Sequence, residues 1–281
     1  MRLGFIRGNW KIAPACAVLL ACGLFGPPRA AAQNPDTVPA GQSAAQAKGI
    51  VRQMVDAMGG SAYLNLKDSD CTGRLAQFSP ITGERGAYSE FQEYRIVPDK
   101  LRREYTKKSK IIDVYNGNDG WSLDRGGVEA GDAIAIANFQ AAVKMGLDFL
   151  LRYRLNDAAL YYHWGGEDAV DLKVVDWVVI EDTDEKTYKI AVDRATHLPV
   201  HYVVSTRDPK TEDLTLDTTI YANWHVQDGL PTAMTISHER DGRPLAQSFY
   251  YGCKFNTNLS PDFFTRQALV QKWHQEGHKG S

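Results

Sequence analysis

The sequence lacks the short motifs that accompany the commonest enzyme chemistries. It contains no Gly-x-Ser-x-Gly string, so the sharp nucleophile turn of a serine hydrolase is absent. The glycines between positions 117 and 127 surround a polar turn and are not followed by Lys-Ser or Lys-Thr, which excludes a phosphate-binding loop. We therefore predict no catalytic residues, no cofactor and no enzymatic activity.

Metal-ligand patterns are also sparse. His274 and His278 stand four residues apart, but this spacing is half of a zinc site and lacks the Glu placement of a metalloprotease. The acidic stretch 181–185 lacks the glycine and the distal Glu of a calcium loop. Glutamates at 84, 90 and 93 fit a strand face turned to water. We predict no metal site.

The sequence has no excess of positive charge and no apolar run long enough to cross a membrane. Residues 1–32 hold four of the 32 basic residues and none of the 34 acidic ones, so the remainder carries a formal net charge of −6 and no basic footprint for nucleic acid. The apolar run 12–25 contains proline and glycine and is shorter than the about 20 residues of a spanning helix. We predict neither a nucleic-acid partner nor a transmembrane helix in the mature chain.

The first 32 residues have the layout of a secretory signal peptide. Arg2, Arg7 and Lys11 precede the apolar run, and the small-residue stretch 30–32 follows it, which predicts cleavage after Ala32 and export to the periplasm. A second processing signal overlaps the first, because residues 18–22 are similar to a bacterial lipobox in which Cys22 is acylated. Both interpretations place the protein in the cell envelope, either free or anchored through Cys22.

Composition divides the remaining chain into a spacer, one domain and a tail. Residues 33–43 are small, polar and proline-rich, which predicts a disordered spacer. Residues 44–58 show apolar side chains at helical spacing before a Gly-Gly stop. We predict one domain over 44–266 and a polar C-terminal tail over 267–281.

Short β signals dominate that domain. About four segments before residue 116 and about six later ones lie between turn formers, which predicts antiparallel strands. Between them, apolar residues recur at helical spacing from 132 to 154, which predicts a lid helix of about six turns capped by Asp132. Because so wide a sheet curls, the predicted fold class is α+β and mainly β: an incomplete antiparallel β-barrel of about ten or eleven strands with helices over its concave face.

Apolar and aromatic residues are the candidates for a binding site. They either line a cavity between the first strands and the long helix or form an ordinary packed core, and the sequence leaves both alternatives open. The ligand-binding candidates are Phe91, Leu101, Tyr105, Ile112, Val114, Trp121, Phe139, Leu147 and Leu150.

Two cysteines, Cys71 and Cys253, follow the signal region. In an oxidising compartment they are candidates for a disulfide that closes a very long loop. The alternative is two separate buried thiols, because sequence does not give the distance between their Cα atoms.

The order of elements and several turns resemble the LolA/LolB-like family of periplasmic lipoprotein-sorting carriers. The family's Pro-x-x-x-Arg strand start is matched by 98–102, and its Asp-Gly-x-x-Trp turn by a shortened form at 119–121. Arg102 and Trp121 occupy the Arg and Trp positions. The resemblance covers 44–266 and implies an incomplete β-barrel with a helical lid around an apolar cavity.

The function implied by this resemblance is a periplasmic carrier or binder of lipid or lipoprotein acyl chains. One alternative is an envelope module that binds protein partners without a carrier role. Another is an enzyme that uses the scattered His and Glu residues. The shared motifs are turns, so they support the fold more than the activity.

Overall fold

A computed structural model describes residues 34–105, 111–184, 186–208 and 210–275. The predicted signal peptide, Cys22 and the end of the tail with His278 lie outside these residues. The helices are α1 (Ala40–Ala57), α2 (Gly60–Leu64), α3 (Ala133–Met145), α4 (Leu147–Phe149) and α5 (Arg266–Gln275). A π-helical turn, Leu150–Arg154, continues α4, and 3-10 turns occupy Pro35–Thr37 and Pro261–Phe264.

Thirteen antiparallel strands of the described chain form one sheet. They are β1 (Asp68–Gln77), β2 (Ser89–Ile96), β3 (Lys100–Tyr105), β4 (Ile111–Asn116), β5 (Asp119–Asp124), β6 (Gly127–Ala130), β7 (Tyr161–Val170), β8 (Lys173–Glu181), β9 (Thr187–Asp193), β10 (Pro199–Arg207), β11 (Leu214–Gln227), β12 (Leu230–Arg240) and β13 (Arg243–Phe255). Their spatial order is β6-β5-β4-β3-β2-β1-β13-β12-β11-β10-β9-β8-β7.

The sheet consists of two halves that meet where β1 pairs with β13. The chain builds the first half outward from β1 to β6, crosses to the far edge at β7, and builds the second half inward to β13. Within the described residues, the edges β6 and β7 do not pair with each other. The prediction of an open antiparallel barrel with helices is therefore confirmed.

The strand number exceeds the predicted ten or eleven. The hairpin of β5 and β6 lies in the glycine-rich stretch that reads as a turn in the sequence. Its strands are six and four residues long and contain one β-branched residue, Val128, so they have little β propensity of their own. β5 is part of the sheet because it pairs with β4, and this tertiary contact compensates for the low β propensity.

The predicted continuous helix over 132–154 is wrong in one respect, because the helix breaks at Gly146. Asp132 caps α3 as predicted, and its Oδ1 accepts the N–H of Ala135 at 2.8 Å. At Gly146 the backbone is extended, with φ −68° and ψ 149°, and the helix axes before and after it differ by 49°. None of the described helices alone is long and apolar enough to cross a membrane; this bent pair meets the criterion only when its parts are taken together.

The prediction of a disordered spacer over 33–43 is wrong for its described part. A 3-10 turn forms at Pro35–Thr37, and α1 begins at Ala40. Ser43 is buried, and its Oγ accepts the N–H of Trp164 at 2.8 Å. Partners from β7, distant in sequence, order a segment whose composition alone indicates disorder.

The predicted free tail over 267–281 is also wrong where the structure describes it. Residues 266–275 form α5, and Leu269 is fully buried. Lys272 donates to Glu104 of β3 at 2.9 Å. A single buried leucine among polar residues is a weak sequence signal, so packing rather than pattern determines this helix.

Candidate functional site

The sheet has an inner face, which bears α1, α2 and α4, and an outer face. Paired residues on adjacent strands point to the same side, and successive residues along a strand alternate. These two rules assign strand residues to a face except at register shifts, such as the one between Thr72 and Gly73. From β11 to β2 the inner face runs through the pairs Thr219–His238, Tyr221–Ile236, Ile236–Ser248, Ser248–Leu75 and Leu75–Ser89.

The inner face of the second half is filled by a packed core. Apolar side chains of α1 and α4 lie on β7 to β10, and Met54, Leu150 and Trp164 are each at most 2% exposed. Leu147 and Leu150, two ligand candidates, belong to this core. They do not lie beside the first-half strands as predicted, because the break at Gly146 turns them toward α1.

Three other candidates, Ile112, Val114 and Trp121, lie on the outer face of the first half. They pack against Phe264 and Leu269 of the C-terminal segment. Ile112 and Val114 are 2% and 1% exposed. The C-terminal segment therefore covers them, and the prediction that they line the same space as the long helix is wrong.

Arg102 is the arginine that matches the Pro-x-x-x-Arg strand start. It also lies on the outer face. Its guanidinium stacks over the ring of Phe263 at 4.0 Å from the centroid and donates to the Phe263 carbonyl at 3.1 Å. Its Nε donates to Glu104 at 2.8 Å. Arg102 thus fastens the C-terminal segment to β3.

The inner face of the first half carries a buried ionic group that we call the inner charge cluster: Glu93, Arg95 and Arg103. The Glu93 side chain is 2% exposed. Its Oε1 accepts the Nε–H of Arg95 at 2.6 Å, and its Oε2 accepts the Nε–H of Arg103 at 2.8 Å. Burial raises the pKa of Glu93, but the charges of Arg103 and Arg95 outweigh burial and lower it from 4.5 to about 2. The carboxylate is therefore ionised and shared by two guanidinium groups.

Arg95 is the accessible member of this cluster. Its side chain remains 41% exposed, and its terminal Nη atoms have no hydrogen-bond partner within the described parts of the chain. Burial, followed by the charges of Arg95 and Arg103, lowers the pKa of His238. Burial and the charge of Glu93 raise the pKa of Tyr250 to about 12. Both neighbours are therefore neutral at pH 7.

Apolar and aromatic side chains adjoin the cluster on the same face. Phe91 and Leu101 are 4% and 6% exposed, and Tyr105 is the direct cross-strand partner of Phe91. The edge of the Phe91 ring contacts Tyr250, with 5.7 Å between centroids. These three candidates share the inner face with the inner charge cluster.

Helix α3 lies over this face at the end of β4 and β5. Phe139 stacks on Tyr115 with 4.6 Å between ring centroids, and Tyr115 pairs with Leu101 on the inner face. A Cβ on Gly120 would lie 2.8 Å from Cγ1 of Ile136, so glycine is what permits this close approach. Phe139 is thus the candidate on α3 that faces the sheet.

The inner charge cluster is not evident from the sequence, because Glu93 fits a strand position that faces water. Glu93 and Arg95 alternate with Tyr94 and Ile96, so neither face of β2 is purely apolar. One signal was available: Glu93 and Arg103 both lie five residues from Pro98, the centre of the β2–β3 hairpin, and they pair directly. Opposite charges at mirrored positions of a hairpin indicate a cross-strand ion pair.

Cys71 and Cys253 form a disulfide between directly paired positions of β1 and β13, with Cα atoms 4.1 Å apart. Of the two alternatives left by the sequence, the structure therefore has the bridge. On its other side Cys71 pairs with Glu93, so the bond lies next to the inner charge cluster.

Other surface features do not coincide with the candidates. Within the described residues, no three His, Cys, Asp or Glu side chains are grouped to hold a metal ion. An open groove of about 730 Å³ lies where the segment before α1 crosses β7, and its lining includes Pro35, Trp164 and Lys189 but none of the nine candidates.

Solved structures with similar folds include bacterial envelope proteins, whereas no protein-family model and no curated protein matches the sequence. A DUF1329 family protein from Desulfovibrio piger superposes with a TM-score of 0.54 at 14% identity, over 81% of this chain and 99% of that one. A domain named as an outer membrane lipoprotein-sorting protein from Vibrio parahaemolyticus gives 0.50 at 13% identity, over 81% and 99%. A LolA superfamily protein from Nitrosomonas europaea gives 0.49 at 12% identity, over 79% and 99%. At these identities the similarity is one of fold, and the chain shares the fold of the DUF1329 protein and of the domain named for lipoprotein sorting.

Proposed function

We propose that this protein binds the apolar chain of a lipid or lipoprotein between α3 and the inner face of the first half, and carries it in the periplasm. The observation that supports this most directly is α3 itself. Its 13 residues include one charged side chain, Lys144, and none of them is fully buried. An apolar helix whose side chains are only partly buried leaves apolar surface in water, which is unfavourable, so α3 is suited to cover a ligand.

The binding residues in this proposal are Phe91, Leu101 and Tyr105 from the sheet and Phe139 from α3. Each methylene group moved from water to such a site gains about 0.8 kcal/mol. For one long acyl chain, the summed gain therefore exceeds the free-energy cost of ordering the chain. The proposal assigns no chemical reaction to the site, and Leu147 and Leu150 serve to anchor the lid.

The proposed location is the bacterial envelope after removal of residues 1–32. The disulfide supports an oxidising compartment, and the similarity in fold to a lipoprotein-sorting domain agrees with it. Anchoring through Cys22 is the alternative and leaves the binding site unchanged.

Replacement of Phe139 by Glu tests the site, with N-phenyl-1-naphthylamine as a neutral apolar fluorophore. We expect the variant to bind the probe at least about tenfold more weakly, because a carboxylate would have to enter an apolar site, while its melting temperature stays close to that of the unmodified protein. Ile134→Glu is the matched control, since Ile134 lies on the same helix and is 71% exposed. Leu147→Glu, in contrast, should unfold the domain, because Leu147 is part of the core.

Failure of the unmodified protein to bind the probe would contradict the proposal, as would equal binding by the Phe139 and Ile134 variants. The second candidate function, a module that binds another envelope protein, is favoured by one observation, the exposed Ile134 side chain. In that case Ile134→Glu is the variant that should lose its partner, and the apolar probe should not bind.

A further inference from the structure

We infer that the ligand carries an anionic head, a carboxylate or a phosphate joined to the apolar chain, and that Arg95 binds this head on the inner face. The inference rests on the proposed function and specifies the chemical class of its ligand. Arg95 pairs directly with Leu101 across β2 and β3, so a cation lies next to an apolar candidate on the same face. An amphiphile matches this juxtaposition, with its chain on the apolar residues and its head on the arginine.

The orientation of Arg95 is fixed by Glu93 while its binding end stays open. Glu93 holds the Nε–H at 2.6 Å, which fixes one edge of the planar guanidinium group. The two Nη atoms at the opposite end have no partner in the described parts of the chain, and 41% of the side chain is exposed. Two parallel N–H groups in a plane are the arrangement that binds a carboxylate or a phosphate in a bidentate manner.

The charges around Arg95 leave it available for an anion. Glu93 also accepts two hydrogen bonds from Arg103, so one carboxylate serves two guanidinium groups. Asp113, the next carboxylate on this face, is the direct cross-strand partner of Arg103 and not of Arg95. His238 and Tyr250 are neutral at pH 7 and present polar rings beside the arginines. Glu93 and Asp113 balance the two arginines in formal charge, so what the cluster offers an anion is the open Nη end of Arg95, at its accessible end.

Competition against the apolar fluorophore tests the inference with three ligands that share a 16-carbon chain: hexadecanoate, hexadecyl phosphate and hexadecanol. We expect the two anions to displace the probe about tenfold more effectively than the alcohol, the ratio that about 1.4 kcal/mol supports. Arg95→Gln should reduce the affinity for both anions to that for the alcohol and leave the alcohol unchanged. Arg95→Lys should restore part of the preference, and Arg207→Gln, an exposed arginine at the end of β10, is the matched control.

The outcomes separate the inference from the proposed function. Two results would contradict the anionic head and still support the apolar site. In one, hexadecanol binds as well as the anions; in the other, Arg95→Gln binds all three ligands with the affinity of the unmodified protein. If none of the three ligands displaces the probe, the proposed function fails as well. Free inorganic phosphate that competes as well as hexadecyl phosphate would show an ion site without a chain, which also overturns the inference. Melting curves of each variant establish that binding is compared between folded proteins.

Discussion

At the scale of single residues, Glu93 is a buried carboxylate of the first half. It is 1% exposed as a residue and compensates two arginines from adjacent strands. Ionic groups of this kind are costly to desolvate, so an intact buried cluster adds little to the free energy of unfolding. Removal of one partner lowers that free energy strongly, because it leaves a buried charge without compensation. Arg102 has the corresponding role on the outer face, where it ties the C-terminal segment to the sheet.

The lowered pKa of Glu93 predicts a specific dependence of stability on pH. Because the pKa is about 2 in the folded protein and near 4.5 in the unfolded chain, the ionised carboxylate stabilises the fold fully above pH 4.5. This contribution is lost as the pH falls from 4.5 toward 2. We expect it to amount to about 2 to 3 kcal/mol, below the value for a fully buried pair since Arg95 is partly hydrated.

Urea unfolding of Glu93→Gln at pH 7, 4 and 3 measures this contribution. The variant should be less stable at pH 7 and should lack the corresponding part of the decrease at low pH. Glu90→Gln is the control, because Glu90 lies on the same strand with its side chain exposed. Parallel pH profiles for Glu93→Gln and the unmodified protein would contradict the assignment.

At the scale of elements, the amphipathic helix α1 and the apolar helix α3 differ in how they are attached to the sheet. Six residues of α1 are buried and none of α3 is. α3 is held at its end by Tyr202, whose hydroxyl donates to the Met145 carbonyl at 2.7 Å, and along its length by the stacking of Phe139. Gly146 follows directly in an extended conformation and ends the helix.

Hydrogen exchange should therefore distinguish the lid from the sheet. We expect amides of α3 to exchange faster than those of residues 187–204, because few buried contacts oppose local opening of the helix. Saturation with hexadecanoate should slow exchange in α3 and leave β9 and β10 unchanged. The helix α1 is the internal control for helical amides, and equal protection of α3 and α1 without ligand would count against a lid.

At the scale of the whole molecule, the junction of β1 with β13 determines whether the two halves form one sheet. The disulfide crosses this junction and joins residues 182 positions apart. In the chain-entropy model, a bond that closes a loop of this length reduces the conformational entropy of the unfolded chain. This raises the free energy of the unfolded chain by up to about 5 kcal/mol. The bond therefore acts on the protein as a whole and not on one hairpin.

The double variant Cys71→Ala/Cys253→Ala should accordingly lower the free energy of unfolding by several kcal/mol, up to about 5. Denaturant titration of the variant against the oxidised protein gives this difference. The reduced unmodified protein is the matched control, since it keeps both side chains and loses only the bond. A difference below about 1 kcal/mol would indicate that the bond contributes little to the fold.

The class of fold and many element boundaries follow from local patterns in the sequence. Alternating apolar residues and the turn formers between them predicted the antiparallel strands β1 to β4 and β9 to β13, and Asp132 predicted the start of α3. These features depend on residues close together in the chain, where steric preferences and hydrogen bonds of turns act directly. The resemblance carried by Arg102 and Trp121 led to the LolA-like fold, although both residues belong to the outer face.

Which candidates share a site depends on tertiary contacts. Local alternation shows that Ile112 and Val114 point opposite to Tyr115, but it does not show which side faces α3. Hydrophobicity marks the buried face only where the other face meets water. In the first half the C-terminal segment covers the outer face and α3 covers one end of the inner face, so apolar residues occur on both. The division of the nine candidates, and the burial of Glu93 between two arginines, therefore depend on contacts between segments that are far apart in the sequence.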